Sequence, residues 1–444
     1  MDKKVVIVGA GVAGINAATK LVDNGYPGHL ITIIDMGKDP HKRLPSEVMT
    51  GMLGAGGWSD GKLTYHTAIG GQLSKYCGED KAMELMDQVI TNFKRFHPKP
   101  EEVQCSNPDA EPDFIKPYFG LRLFPVWHVG TDYLLEIAKN WYTYLIDNGV
   151  EFMWETKVTY INFEPSTPEY KVMVHLNPLS EPDKTYYLGG DTLIFAVGKS
   201  GIDFGKSLAE QYDLPTEPKS VQIGVRFEAP QKHFQKLIDI SYDFKLYRKF
   251  EDKGVSLRSF CTNNNAAYVA VEETYGNYTY NGHAKKDEKY RNNMTNFGII
   301  MELNGIENPF EWSRNLVKSL QVDDKGLYYS PSRVPSYTSE GGFVEATQIN
   351  DFVMMEVREA FEGYFNYIDD FIDDMKKVFP TLKDDWGMYI PEVKYLSPEP
   401  LVDYNNLALT KFPNVHFVGD ALSARGITVS GAQGIYVAED LLKS

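Results

Sequence analysis

The sequence predicts an α/β chain, with one domain built on a parallel sheet and a second, β-rich domain of mixed content. Three observations carry this prediction. Apolar β-branched runs at 4–8 and 30–34 flank a stretch, 14–22, with helical apolar spacing, and parallel strands need a crossover of this kind. Two further buried-strand runs lie at 193–197 and 415–418, the second followed by a helical pattern over 427–442. Between them, 205–385 changes texture, mixing strand-like runs with Asn- and Tyr-rich loops. At roughly 150 residues per domain, 444 residues suit two or three domains. The first domain is assigned 1–75, 115–204 and 386–444, with 76–114 as a helical excursion, and the second 205–385.

The elements follow in order. Residues 36–75 fit no regular period and hold a glycine-rich loop at 51–61. Residues 79–96 place apolar side chains on one helical face. Residues 97–117 hold five prolines and read as irregular. Thr131 or Asp132 can cap a helix that runs to about Asp147, where Gly149 stops it. Strands are expected at 151–163, 170–176 and 184–188, then at 221–228, 255–260, 267–272 and 297–303. Helices are expected near 309–320 and 351–379, and a Pro-containing stretch follows Trp386.

Composition narrows the function. The 45 Lys and Arg against 61 Asp and Glu leave a net charge of −16. An acidic excess of this size disfavours adhesion to nucleic acid or anionic membrane, because phosphate binding needs a positive field. Cys77, Cys105 and Cys261 form no CxxC pair, which fits neither a disulfide framework nor a dithiol reductase. No apolar stretch reaches 18 residues, so no membrane span is expected. A strand beginning by about residue 4 leaves no room for a signal peptide, and a cytoplasmic protein is expected.

Gly9, Gly11 and Gly14 form GxGxxG between a strand and a helix, with Asp35 21 positions after the last glycine. Gly9 permits the tight turn, Gly11 lets backbone approach a pyrophosphate, and Gly14 lets helix and strand pack closely. The pyrophosphate then sits on a helix amino terminus, and Asp35 accepts from ribose hydroxyls. Asp35 also disfavours a 2′-phosphate. This is a Rossmann-type dinucleotide site, and the far end of the chain decides between NAD and FAD. There a strand delivers Gly419 and Asp420, followed by Arg425, Gly426, Ile427 and an apolar helix. A carboxylate at that position can hold a ribityl chain. The helix amino terminus can stabilise negative charge on a flavin ring. Gly426, Gly431 and Gly434 leave room for the ring against backbone. Two ends of one chain converging on a long cofactor point to FAD.

GxGxxG at 9–14, LIFAVG at 193–198 and FVGD at 417–420 resemble the three FAD signatures of the glutathione-reductase-type flavoprotein superfamily. Six segments resemble more closely its largely uncharacterised FAD-dependent dehydrogenase family. They are GAGGWSDGKL at 54–63, VGTD at 129–132, IGVRFE at 223–228, RSFCT at 258–262, YNGH at 280–283 and GDALSARG at 419–426. The resemblance implies FAD and an oxidoreductase reaction, and it supplies no substrate. The chain departs from the family in being shorter, and in Asn263, Asn264 and Asn265 where Pro and Gly are expected. The resemblance also implies that the 51–61 loop runs along the flavin. Gly56 and Gly57 would then let backbone approach, and Ser59, Asp60 and Lys62 would reach the ring or a phosphate. Val158 and Gly198 are assigned to the same cofactor.

Three residues are candidates for catalysis. Cys261, just after a strand, is either a nucleophile over the flavin or a buried small hydrophobe. His283, in a turn, is either a general base or an exposed loop histidine. Lys62 is the third. His66 and His128 are weaker candidates. No His, Cys or carboxylate cluster has metal spacing. The expected function is hydride transfer between a small organic substrate, amine or amino-acid-like, and flavin N5. The alternatives are modification of a nucleoside or nucleic-acid base, and a non-catalytic flavin carrier. A dedicated nicotinamide domain is not expected, because the mid-chain candidate Gly198–Gly201 lacks GxGxxG spacing and reads as opening no helix. Nothing in the sequence bears on oligomeric state.

Overall fold

A computed structural model describes residues 3–443 other than 45–46, 107, 109–111, 167–168, 218, 275, 323–324, 333–345 and 396–397. Its first sheet runs, edge to edge, Glu151–Met153, Ile31–Ile34, Val5–Val8, Thr192–Phe195, Phe412–Phe417 and Ala408–Leu409. The first five are parallel and the last pairs antiparallel. Val5–Val8 is buried along its whole length, as expected of a parallel strand covered on both faces. Helix Val12–Asp23 connects it to Ile31–Ile34, and helix Ile427–Leu441 packs against Val12–Asp23. Val5–Val8 has the chain's next strand on one side and Thr192–Phe195 on the other. That makes its carboxyl end the topological switch point, where open α/β sheets bind ligands.

The expected strand 151–163 is two strands. Glu155 takes a left-handed φ of 49° and ends Glu151–Met153. Thr156–Asn162 then joins a separate antiparallel sheet with Val172–Pro178 and Tyr186–Gly190. The expected helix 351–379 is likewise two, Asp351–Ala360 and Phe365–Val378, broken at Glu362 (φ 53°) and Gly363 (φ 85°).

Among the described residues, eight strands form the second large sheet. Its order is Ala346–Gln348, Gly326–Tyr329, Gly387–Lys394, Val221–Pro230, Met294–Leu303, Val255–Asn265, Phe244–Phe250 and Gly120–Leu123. All neighbours are antiparallel except the first pair. Two of these strands, 120–123 and 387–394, come from the stretches 115–204 and 386–444 assigned to the first domain, yet they join this sheet. Gly387–Lys394 was hidden by Pro391, which argues against an interior strand. The register with Val221–Pro230 slips between Gly224 and Arg226, and the missing N–H falls in that irregularity.

Strand alternation gives this sheet two unlike faces. Val225, Phe227, Phe244, Leu246, Leu257, Ile299 and Met301 point to one side and form a core with the helices Asp351–Ala360 and Phe365–Val378. Gln222, Lys245, Tyr247, Arg258, Phe260 and Glu302 point the other way, into a cavity shared with the parallel sheet. Among the described residues no helix is long and apolar enough to cross a membrane.

The segment after Thr192–Phe195 also differs from expectation. Gly198 (φ 63°) and a 3₁₀ turn at Lys199–Gly201 lead directly into helix Ile202–Gln211. A helix therefore does open there, but it carries Asp203 in its first turn. A carboxylate in that place disfavours a second pyrophosphate.

Candidate active site

Four parallel strands deliver residues to one cavity of about 1180 Å³. Gly9, Asp35, Gly198 and Gly419 lie just past the carboxyl ends of Val5–Val8, Ile31–Ile34, Thr192–Phe195 and Phe412–Phe417, and all four line it. The volume exceeds the 300–1,000 Å³ common for one small ligand. The cavity extends from there, past Gly56, Ser59, Asp60 and Lys62, to the polar face of the eight-stranded sheet.

The fingerprint glycines separate by role. Gly9 has φ 108°, and a Cβ there would meet the Ala196 carbonyl oxygen at 2.3 Å. A Cβ on Gly14 would meet the Gly9 carbonyl oxygen at 2.3 Å, and Gly14 does not line the cavity. Gly11 caps the Val12–Asp23 helix in an extended conformation, and a Cβ there would find only ordinary contact, 3.7 Å from the Ala196 oxygen. Asp35 accepts from the amides of Ala10 (2.8 Å), Gly37 (2.7 Å) and Gly51 (2.8 Å). A carboxylate offers about four acceptor positions, so one remains.

The glycine loop is pinned by Arg43, which sequence reading missed. Its guanidinium donates to the carbonyls of Glu47 (2.9 Å), Met52 (2.7 Å), Val48 (2.9 Å) and Gly54 (3.0 Å). Trp58 covers it, 5.9 Å from ring centroid to guanidinium. Burial pulls this guanidinium down to about 10. Gly56 lines the cavity, with Val12 so close that a Cβ would sit 2.5 Å from its Cγ2. Gly57 is buried behind the loop, away from the cavity, where a Cβ would meet the Met52 carbonyl at 2.8 Å. Val158, from the Thr156–Asn162 strand, lines the wall.

Below the loop lies a buried charge network. Lys62 Nζ reaches Asp60 (2.9 Å), Asp243 (3.2 Å) and the Thr262 carbonyl (2.6 Å). Lys245 pairs with Asp243 at 2.8 Å. Burial alone would raise the Asp60 carboxyl, but Lys62 and the Cys261 thiol outweigh it and hold it at about 2. Burial would lower the Lys62 ammonium, yet Asp243 and Asp60 raise it. An ammonium has three N–H donors, and all three of Lys62's are engaged within the protein. Lys62 therefore has none left for a ligand, which corrects its assignment as a catalytic residue. It positions Asp60.

Cys261 sits at an irregularity in its strand with φ 52°, and its thiol donates to Asp60 at 2.6 Å. Burial and the Asp60 carboxylate push it up to about 11, so it stays protonated at neutral pH. Of the two readings open for Cys261, this disfavours the nucleophile, which needs a thiolate. All three cysteines are free.

His283 is neither in a turn nor exposed. It lies buried in strand Asn277–Ala284, paired with Ala267–Thr274, and does not line the cavity. Burial lowers its pKa, and it is not among the residues that line the cavity. His128 lies behind Asp60, hydrogen-bonded to its carbonyl at 2.8 Å, and burial lowers it to about 4. His66 is exposed. Thr131 and Asp132 do not cap their helix. Thr131 donates to the Ser59 carbonyl (2.6 Å), and Asp132 accepts from the amides of Lys286 and Asp287. Both tie the glycine loop region to neighbouring segments. Ser59 itself is braced by the Gly56 carbonyl at 3.2 Å.

At the far wall Asp420 pairs with Arg425 at 2.5 Å, and Arg425 also donates to the Tyr395 carbonyl. Gly426 (φ 89°) caps helix Ile427–Leu441, whose first turn lines the cavity. Thr428 Oγ1 there is buried without a partner among the described residues. Gly431 and Gly434 serve helix packing rather than the cavity, since Cβ atoms there would meet Val89 at 2.8 Å and the Ala13 carbonyl at 2.0 Å. Among the described residues no group of His, Cys, Asp or Glu can hold a metal ion.

No family model matches the chain. An uncharacterized protein of Clostridium beijerinckii is 25% identical over 301 residues, which is 62% of this chain and 48% of that protein. The chain thus spans about half the length of that relative. Among solved structures, a flavoprotein/dehydrogenase from Cytophaga hutchinsonii is similar at 11% identity, with a TM-score of 0.41 over 99% of this chain and 79% of that one. The halogenase PltM, solved with phloroglucinol and FAD, is 13% identical with a TM-score of 0.44, over 100% and 70%. The glycerol-3-phosphate dehydrogenase of Bacillus halodurans, complexed with FAD, is 12% identical with a TM-score of 0.40, over 100% and 64%.

Proposed function

We propose that this chain is an FAD-dependent oxidoreductase, as the FAD-dependent dehydrogenase resemblance implies, and that it acts on a small organic substrate, amine or amino-acid-like. The observation that carries the reading is the convergence of Gly9, Asp35, Gly198 and Gly419 on one cavity that continues beneath a second sheet. The residues fit the cofactor. Among the described residues a Cβ on Gly11 would meet only the Ala196 oxygen, at 3.7 Å, so the open space before it is what a side chain would take from a ligand. Asp35 keeps one acceptor position, and Thr428 keeps an unused hydroxyl.

Gly9, Gly11 and the amino end of Val12–Asp23 would hold the pyrophosphate, and Asp35 the adenosine ribose. Asp420 would hold the ribityl chain. The first-turn amides at Ile427, without intrahelical partners, would face the ring and favour negative charge there. When bound, the flavin supplies hydride transfer at N5. Asp60, kept ionised by Lys62 and Cys261, belongs to a balanced network of two carboxylates and two ammoniums at the cavity wall. The polar face of the eight-stranded sheet would lie over the ring end.

Two observations favour a small-molecule enzyme over the alternatives. The basic residues that could attract nucleic acid near His283 are engaged, Lys289 with Asp287 at 2.8 Å and Arg291 with Glu288 at 3.5 Å. The cavity beneath the sheet leaves room for a substrate beside the cofactor, which a carrier does not need.

Purified protein should be yellow, and heat-released cofactor should chromatograph as FAD. Colourless protein that takes up no FAD would overturn the reading. Asp420→Ala should weaken FAD about tenfold, or about 1.4 kcal/mol. An affinity within twofold of wild type would remove Asp420 as a ligand. Neither NADH nor NADPH should bleach the flavin at catalytic rates in anaerobic rapid mixing. The eight-stranded sheet is antiparallel except for one edge pair, and helix Ile202–Gln211, which follows the mid-chain glycines, carries Asp203 in its first turn. Saturable reduction at about 1–10³ per second by either would show a nicotinamide site instead.

A further inference from the structure

We infer that the sheet above the cavity carries an anion subsite, in which Arg258, backed by Arg122, receives a carboxylate of the substrate. The inference rests on the flavoenzyme reading and names the substrate class for that same site.

The cations lining the cavity are mostly paired. Lys62 has Asp60 and Asp243, Lys245 has Asp243, Lys394 has Glu392 at 3.0 Å, Lys199 has Glu272 at 2.8 Å, and Arg425 has Asp420. Arg258 differs. Among the described residues no carboxylate forms an ion pair with it, and its hydrogen bond is one from Nη2 to Gln222 Oε1 at 3.0 Å. A guanidinium has five N–H donors in a planar fork, so most of this one is unused.

Its surroundings ask for an anion. Strand alternation sets Arg258 on the cavity face, opposite Tyr247 on the neighbouring strand, with Arg122 stacked over the Tyr247 ring at 5.5 Å. Burial lowers the Arg258 pKa, Glu302 opposes this, and Arg122 and Arg425 add to it. Arg425 is neutralised by Asp420. Arg258 and Arg122 against Glu302 leave one net positive charge, which a monoanion balances. A planar carboxylate matches the fork in two parallel hydrogen bonds. The chain as a whole carries −16, so an uncompensated guanidinium in its main cavity is a specific local feature. A simple amine would be repelled there, whereas an amino acid or other carboxylic acid would be oriented.

The test uses the protein as purified, with its flavin. Benzoate, benzylamine and phosphate are titrated while the visible difference spectrum is followed. Benzoate should give a saturable change, and the other two should bind at least tenfold more weakly. Arg258→Gln should weaken benzoate tenfold or more, and Arg258→Lys should recover part of the loss. An unchanged flavin spectrum reports that each variant is folded. If Arg258→Gln does not fold, Arg122→Gln serves, with a loss of threefold or more expected. No saturable benzoate signal in wild type, an affinity within twofold in Arg258→Gln, or a preference for phosphate would overturn the proposal. Protein without flavin would instead defeat the cofactor reading, and benzoate calorimetry on it would test the subsite by the same tenfold criterion.

Discussion

Gly11→Val protein should fold normally and lack FAD. Gly11 has φ −68° and ψ 176°, a conformation open to any residue, and an added Cβ meets only the Ala196 oxygen, at 3.7 Å. The isopropyl group therefore goes into the cavity, in front of the amino end of Val12–Asp23. There it occupies the space through which backbone amides must approach a pyrophosphate. FAD affinity should fall at least a hundredfold, or about 2.8 kcal/mol at 1.4 kcal/mol per tenfold step. The neighbouring glycines make the contrast. Gly9→Val and Gly14→Val each drive a Cβ to 2.3 Å from a carbonyl oxygen, and both should fail to fold rather than merely lose the cofactor. Far-ultraviolet circular dichroism and the visible spectrum separate the two outcomes. A folded Gly11→Val protein with a full complement of FAD would displace the phosphate site from this position.

Lys62→Met should destabilise the protein by about 3–5 kcal/mol, the range seen when one member of a buried ion pair is removed. The Lys62, Asp60 and Asp243 side chains are 4%, 7% and 3% exposed, so water cannot replace the lost ammonium. Asp243 keeps Lys245, but Asp60 keeps only the Cys261 thiol and a backbone amide. Without Lys62, burial dominates and the Asp60 pKa rises above that of the unfolded chain. The folded variant then binds more protons than the unfolded one, so its stability falls as pH rises between the two values. The destabilisation should be larger at pH 8 than at pH 5, and Asp60→Asn in the same chain should relieve most of the difference. Urea unfolding at the two pH values measures this. A loss below about 1 kcal/mol at both would mean that the network does not brace the cavity wall.

Local order made much of this protein legible in its sequence. The residues of the fingerprint lie within one strand–helix–strand unit, so spacing alone locates Gly9, Gly11, Gly14 and Asp35. Helices such as Glu79–Phe96 and Pro309–Ser319 declare themselves by apolar period. The terminal Gly419–Asp420 unit reads clearly for the same reason, since its strand and helix are adjacent in the chain.

Tertiary structure alone decided which of those residues remain free to act. Lys62 meets Asp243 across 181 positions, and Cys261 meets Asp60 across 201, so neither partner is visible from local pattern. Those contacts turn an apparent catalytic lysine into a brace and an apparent nucleophile into a protonated thiol. His283 looked like a loop residue because NGHA carries turn chemistry, yet antiparallel pairing with Ala267–Thr274 overrides it. Arg43 lies in no motif, and Arg258, although it opens the RSFCT segment, is given no role by it. One is recognisable only by the four carbonyls that converge on it, the other only by the lack of a carboxylate partner among the described residues. Spacing in a sequence reports what a segment can form by itself, whereas the free valences of a buried charge depend on every chain segment packed around it.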